Sequence, residues 1–125
     1  MKRSLFLAIV ALISAIFGIG LLLKPFELMA MYQVNVYMGG MFMARLLGSA
    51  LIALAVIFWM GRKVTDSTAA NAVLWGGLIY QLLATVLSFR VMQMGWMNSR
   101  GWSVVVLDGL ITVGFANFLF RKNPA

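Results

Sequence analysis

The chain has 125 residues, 63% of them hydrophobic and 10% charged, with a mean hydropathy of +0.98 and a formal net charge of +7. So little charge cannot clothe a water-soluble surface, and the expected solvent is lipid. Cysteine and histidine are both absent, which excludes dithiol redox chemistry, His-ligated haem and zinc sites of the Cys/His kind.

Four apolar stretches, residues 5–23, 38–60, 69–89 and 102–120, each approach the ~20 residues that an α-helix needs to cross a ~30 Å hydrocarbon core. They predict an all-α fold: a polytopic four-transmembrane-helix bundle in which residues 1–125 form a single domain. The first stretch follows Lys2-Arg3, as a signal peptide's apolar region would, but it runs on to Leu23, lacks a clean A-x-A site and closes at Lys24-Pro25. It reads as a permanent span. The connection that follows, KPFELMAMYQVNVY (residues 24–37), predicts a short interfacial helix. Pro25 suits the first helical position, Glu27 the first turn, and Phe26, Met29 and Tyr32 the headgroup boundary.

Helices in lipid gain no hydrophobic drive to associate, so small residues mark where backbones can approach. Ser14 and Gly18 on the first span, Gly40, Ala44 and Gly48 on the second, and Ala72 and Gly76 on the third have this spacing, and intramolecular packing is the expected use. Between the second and third spans, Asp66 and Ser67 stand directly before an apolar run as a helix N-cap. The last connection, QMGWMNSRGW, is marked as loop by Gly95, Asn98 and Gly101.

The ten Lys and Arg residues stand in ones and twos, all but Arg45 at helix ends, and form no basic run, so no nucleic-acid partner is expected. Lys2/Arg3, Arg62/Lys63 and Arg121/Lys122 fall on one side of a four-span topology, and Lys24, Arg90 and Arg100 on the other. The positive-inside rule then places both termini in the cytoplasm. Trp59 and Trp75 would sit near the inner interface, and Trp96 and Trp102 near the outer one.

Two charges fall inside spans, where each costs at least ~2.5 kcal/mol and calls for a partner or a task. Arg45 on the second span and Asp108 on the fourth lie at similar depths, roughly 10 Å below the outer boundary at 1.5 Å per residue, and a buried ion pair is the natural expectation. Gln81, Thr85 and Ser88 follow Gly77 at helical spacing on the third span. Ser49 lies one turn below Arg45, and Thr112 one turn below Asp108. Together Arg45, Asp108, Gln81, Thr85, Ser49 and Thr112 predict a polar pocket in the outer leaflet that binds a small ligand, with Arg45 as anion or carbonyl donor. The same residues also serve a purely structural reading, since a buried pair fixes which helices meet.

Methionine offers a different chemistry. Thioethers are soft ligands that select Cu(I), and Met41, Met43, Met92, Met94 and Met97 cluster toward the outer side. Residues two apart on a helix do not share a face, however, and methionine also fills irregular gaps. No Gly-rich phosphate loop or Ser/His/Asp set exists, so no enzymatic activity and no cofactor are expected.

The segments ARLLGSALIALAVIFW (residues 44–59), KPFELMAMY (residues 24–32) and MNSRGWSVVVLDGLITVGFANFLF (residues 97–120) together resemble small bacterial four-helix membrane proteins without assigned function. DoxX-like proteins are more distantly similar. The resemblance implies a bacterial inner-membrane protein with four spans and carries over no catalytic residue. Small multidrug exporters, of similar size, rely on a carboxylate in the first helix, which this chain lacks. The function expected is that of an accessory subunit or small-ligand binder, within a larger complex or a homo-oligomer; transport of a small solute or ion, or Cu(I) binding, is the alternative.

Overall fold

Long runs of Leu, Ile, Ala, Val and Met without an interior proline leave the backbone one way to satisfy its polar groups in an apolar medium, the α-helix. The computed structural model describes residues 2–34 and 38–120. Among these there are five helices and no strand: α1 (Arg3–Leu23), α2 (Pro25–Met31), α3 (Met38–Gly61), α4 (Ser67–Gln93) and α5 (Gly101–Phe120). All but α2 are long and apolar enough to cross a membrane, and the chain is a multi-pass, all-α membrane protein. The end of the expected first connection, residues 35–37, and the Arg121/Lys122 pair lie outside the described residues.

The helix ends follow local chemistry. Pro25 opens α2 with Glu27 in its first turn. Asp66 caps α4, its Oδ2 accepting from the Ala69 amide at 3.0 Å. α4 closes in a Schellman motif: the Trp96 amide donates to the Val91 carbonyl and the Gly95 amide to that of Met92, both at 3.1 Å, with Gly95 at φ +74°. α2 closes the same way, through Val34 to Met29 and Gln33 to Ala30, but there the left-handed position is filled by Gln33 at φ 56°. The third span extends a turn beyond the expected residue 89, to Gln93. A 27-residue helix is about 40 Å long, so α4 tilts in the bilayer or projects from it.

The bundle is two antiparallel hairpins. α1 packs along α3 and α4 along α5, each pair far more extensively than it touches the other. The first crossing is set by glycine. A Cβ on Gly18 would lie 2.8 Å from the Gly48 carbonyl oxygen, and one on Gly48 would lie 2.7 Å from that of Gly18, so the two backbones touch. The expected close face on α4 is corrected by one residue: Gly76 is exposed with nothing within 4 Å of its would-be Cβ, whereas Gly77 is buried beneath the Phe115 ring. The ring takes the space that a side chain on residue 77 would need.

The hairpins join at two places. At the end where α1 begins and α5 ends, Phe6 meets Phe115 edge-on at 4.9 Å between ring centroids, and Phe58 meets Phe115 at 5.5 Å. Leu7, Val10, Leu74, Leu78 and Ile111 complete this core. Arg3 Nη2 donates to the Val64 carbonyl at 2.7 Å, tying α1 to the α3–α4 connection. At the opposite end the Asn98 amide donates to the Tyr32 carbonyl at 3.0 Å, and Asn98 Nδ2 and Arg100 Nη1 donate to that of Met31 at 3.0 and 3.3 Å. All four tryptophans are exposed: Trp59 and Trp102 at helix ends, Trp96 in the last connection and Trp75 about two turns inside α4, with the Arg62 guanidinium 4.0 Å above the Trp59 ring.

Candidate functional site

Between the aromatic core at one end and the Asn98 clasp at the other, the two hairpins do not fill the space they enclose. The result is a cavity of about 520 Å³ walled by α1, α3, α4 and α5. Interiors are normally packed so that few voids exceed the size of a water molecule, and this one falls within the roughly 300–1,000 Å³ range of small-molecule pockets. Most of its wall is apolar, including Ile13, Phe17, Leu21, Leu51 and Leu107. It is not sealed, because Leu47, Leu83 and Leu87 on its wall are exposed on the outside of the bundle.

Five polar side chains interrupt the apolar lining: Ser14, Tyr80, Gln81, Ser88 and Asp108. Asp108 is half-buried, about seven residues and hence about 10 Å into α5. No Lys or Arg shares the wall among the described residues. Gln81 is only 4% exposed, and its Oε1 has no hydrogen-bond partner. A buried acceptor left unsatisfied costs roughly 1–3 kcal/mol. A half-turn of the amide exchanges its oxygen and nitrogen, so the group can offer either an acceptor or a donor.

The expected residues divide into three sets. Gln81 and Asp108 are on the cavity wall. Thr85 and Thr112 stand beside it: their hydroxyls lie 3.2 Å apart and each lies 2.7 Å from the carbonyl one turn earlier, Gln81 and Asp108 respectively, so the single proton of each goes either to that carbonyl or to the other threonine. They are the polar seam of the α4–α5 hairpin. Arg45 and Ser49 are outside the cavity, both exposed, with Ser49 Oγ donating to the Arg45 carbonyl at 3.0 Å.

The Arg45–Asp108 ion pair is therefore corrected: no such pair forms among the described residues. The reason is rotational. Leu47 and Leu51 turn toward the cavity, and a residue two positions before Leu47 is about 200° away around an α-helix. Matching depth brought the two charges to one level but not to one face. At about 10 Å from the end of its helix, the long Arg45 side chain can snorkel to the headgroups.

Tyr80 and Ser14 were not anticipated as wall residues. For Tyr80 a signal existed, because Tyr80, Ala84, Leu87 and Ser88 have i, i+4, i+7, i+8 spacing and all line the cavity. The spacing of Ser14 with Gly18 points only to helix packing. Of the methionines, Met92 Sδ and the Met97 side chain meet over Gly101, where they leave no room for a Cβ. Met94, two residues from Met92, is exposed, as is Met43 on α3. Groups of three or more Asp, Glu, His or Cys placed to hold a metal are absent among the described residues.

Comparison with protein-family models, with curated proteins and with solved structures gave no significant match to this chain.

Proposed function

We propose that this protein is a non-enzymatic, small-ligand-binding protein of the bacterial inner membrane, with both termini cytoplasmic and its binding cavity in the outer half of the bilayer. The observation that carries this reading is the unfilled cavity of about 520 Å³ with Asp108 and Gln81 on its wall. A lipid chain can occupy the apolar volume, yet it leaves a carboxyl and an unsatisfied amide oxygen without partners, at a cost of kilocalories in a medium that offers no others. A ligand with an apolar body and a polar head matches both. The test is native mass spectrometry of the protein taken from its own membrane into lipid nanodiscs, with Ala84→Phe, which fills the cavity from α4, beside it. A small-molecule adduct on the wild type that Ala84→Phe loses supports the reading. Bare wild-type protein, or protein released only with another polypeptide, moves the weight to an accessory-subunit role.

Transport is the second reading. Asp108 lies free of Arg45, in a cavity closed at one end by phenylalanine packing and at the other by hydrogen bonds. Solute uptake by proteoliposomes would have to depend on Asp108 for this reading to displace simple binding.

A further inference from the structure

We propose that the ligand of this cavity is a compact amphiphile bearing a protonated amine, held with its ammonium group against Asp108 and its apolar body against the walls of the four helices. The inference rests on the binding reading above and names the chemical class that the site recognises.

Three features of the wall select this chemistry. The first is charge: Asp108 contributes the wall's carboxyl, and among the described residues no Lys or Arg faces it there. An opposite charge brought into a medium of low dielectric is attracted far more strongly than in water, whereas an anionic ligand meets a like charge with nothing to offset it. The second is hydrogen bonding. An ammonium group carries several donors and no acceptor. The acceptors that can face it are the Asp108 carboxylate, the Tyr80, Ser14 and Ser88 hydroxyls, and the amide oxygen of Gln81, which has no other donor. The third is shape. The remaining wall is aliphatic and aromatic, and the volume suits a compact hydrocarbon body rather than a sugar or a nucleotide, whose many polar groups would lose their water without replacement.

A zwitterionic lipid headgroup is a poorer occupant, because its phosphate lies a few atoms from its ammonium and the wall has no cation to receive it. The route of entry is lateral. Leu47 on α3 and Leu83 and Leu87 on α4 line the cavity and are also exposed on the outside of the bundle, so an amphiphile dissolved in the bilayer can pass between these helices without crossing the Asn98 clasp.

The experiment uses three probes with one apolar cage and different heads: adamantan-1-amine, adamantan-1-ol and adamantane-1-carboxylate. Binding is measured by equilibrium dialysis against the full chain in phosphatidylglycerol nanodiscs, with protein-free nanodiscs subtracted, at mildly alkaline pH where both the amine and the carboxyl are charged. The amine is expected to bind one per protein and at least tenfold more tightly than the alcohol, with no saturable binding of the carboxylate. Asp108→Asn should bring the amine down to the level of the alcohol, and a helical circular dichroism spectrum matching that of the wild type shows that the variant is folded. Should the alcohol bind as well as the amine, or the amine preference survive Asp108→Asn, the amine assignment falls and the cavity remains a binding site. If neither probe binds saturably, the binding reading fails together with it.

Discussion

Asp108 and Arg45 are both formally costly inside a membrane, yet the structure gives them opposite circumstances: one on a cavity wall, the other exposed on the outside of α3. Their substitutions should differ accordingly. Arg45→Leu is expected to leave ligand adducts intact in native mass spectra, whereas Asp108→Asn removes or weakens them; the reverse outcome would place the site on α3. At Gly18 and Gly48 an added carbon would meet backbone rather than a side chain that can turn away, because each faces the other's carbonyl oxygen. Gly48→Leu should therefore cost about 1–3 kcal/mol through overpacking, read as a lower midpoint in detergent-titrated loss of helicity. Gly76→Leu is the control, expected within about 0.5 kcal/mol of wild type because open space surrounds that position. The spacing of small residues was legible in the chain, but not which of two adjacent glycines would meet a neighbour. Gly76 and Gly77 are 100° apart on the helix, and only the position of Phe115 decides between them.

Among the elements, the short helix α2 is the one with the fewest buried residues. Within it only Pro25 is buried, and Phe26 and Met31 are exposed. What fastens its far end to the other hairpin is Asn98, through its own amide to Tyr32 and its side chain to Met31, together with the Arg100 guanidinium on Met31. Asn98→Ala removes the side-chain bond and also the Oδ1 acceptor of the Arg100 amide at 3.1 Å. Hydrogen exchange in the Pro25–Met31 segment is expected to accelerate several-fold in that variant, with the Phe6–Phe115 core unaffected; equal protection in both proteins would show that the Asn98 side chain contributes nothing to the clasp. Helix existence, the Pro25 start, the Asp66 cap and the Gly95 turn were all readable from the chain, since each depends on groups within a few residues of one another. The clasp was not, because it joins residues 67 positions apart.

For the molecule as a whole, the natural absence of cysteine makes topology directly testable. Single cysteines placed at Lys2 or Ser67 should be shielded from a membrane-impermeant maleimide in intact bacterial cells and become reactive after lysis, while one at Ser99 should react in intact cells. The opposite pattern would invert the orientation inferred from the positive charges. Composition and hydropathy by themselves determined that this chain crosses a membrane four times as helices, because the demand that every backbone polar group be satisfied in lipid depends on local sequence alone. They also pointed to Gln81 and Asp108, since a polar group inside a span stands out wherever it faces. Only the tertiary structure decided that the helices pair as two hairpins, that a cavity is left between them, and that Arg45 turns away from it while Tyr80 and Ser14 turn in. Depth is fixed by counting residues, but the rotation of each helix is fixed by what packs against it. In lipid, where burial gains little free energy, that is settled by the fit of particular side chains such as Phe115 over Gly77 rather than by hydrophobic pattern.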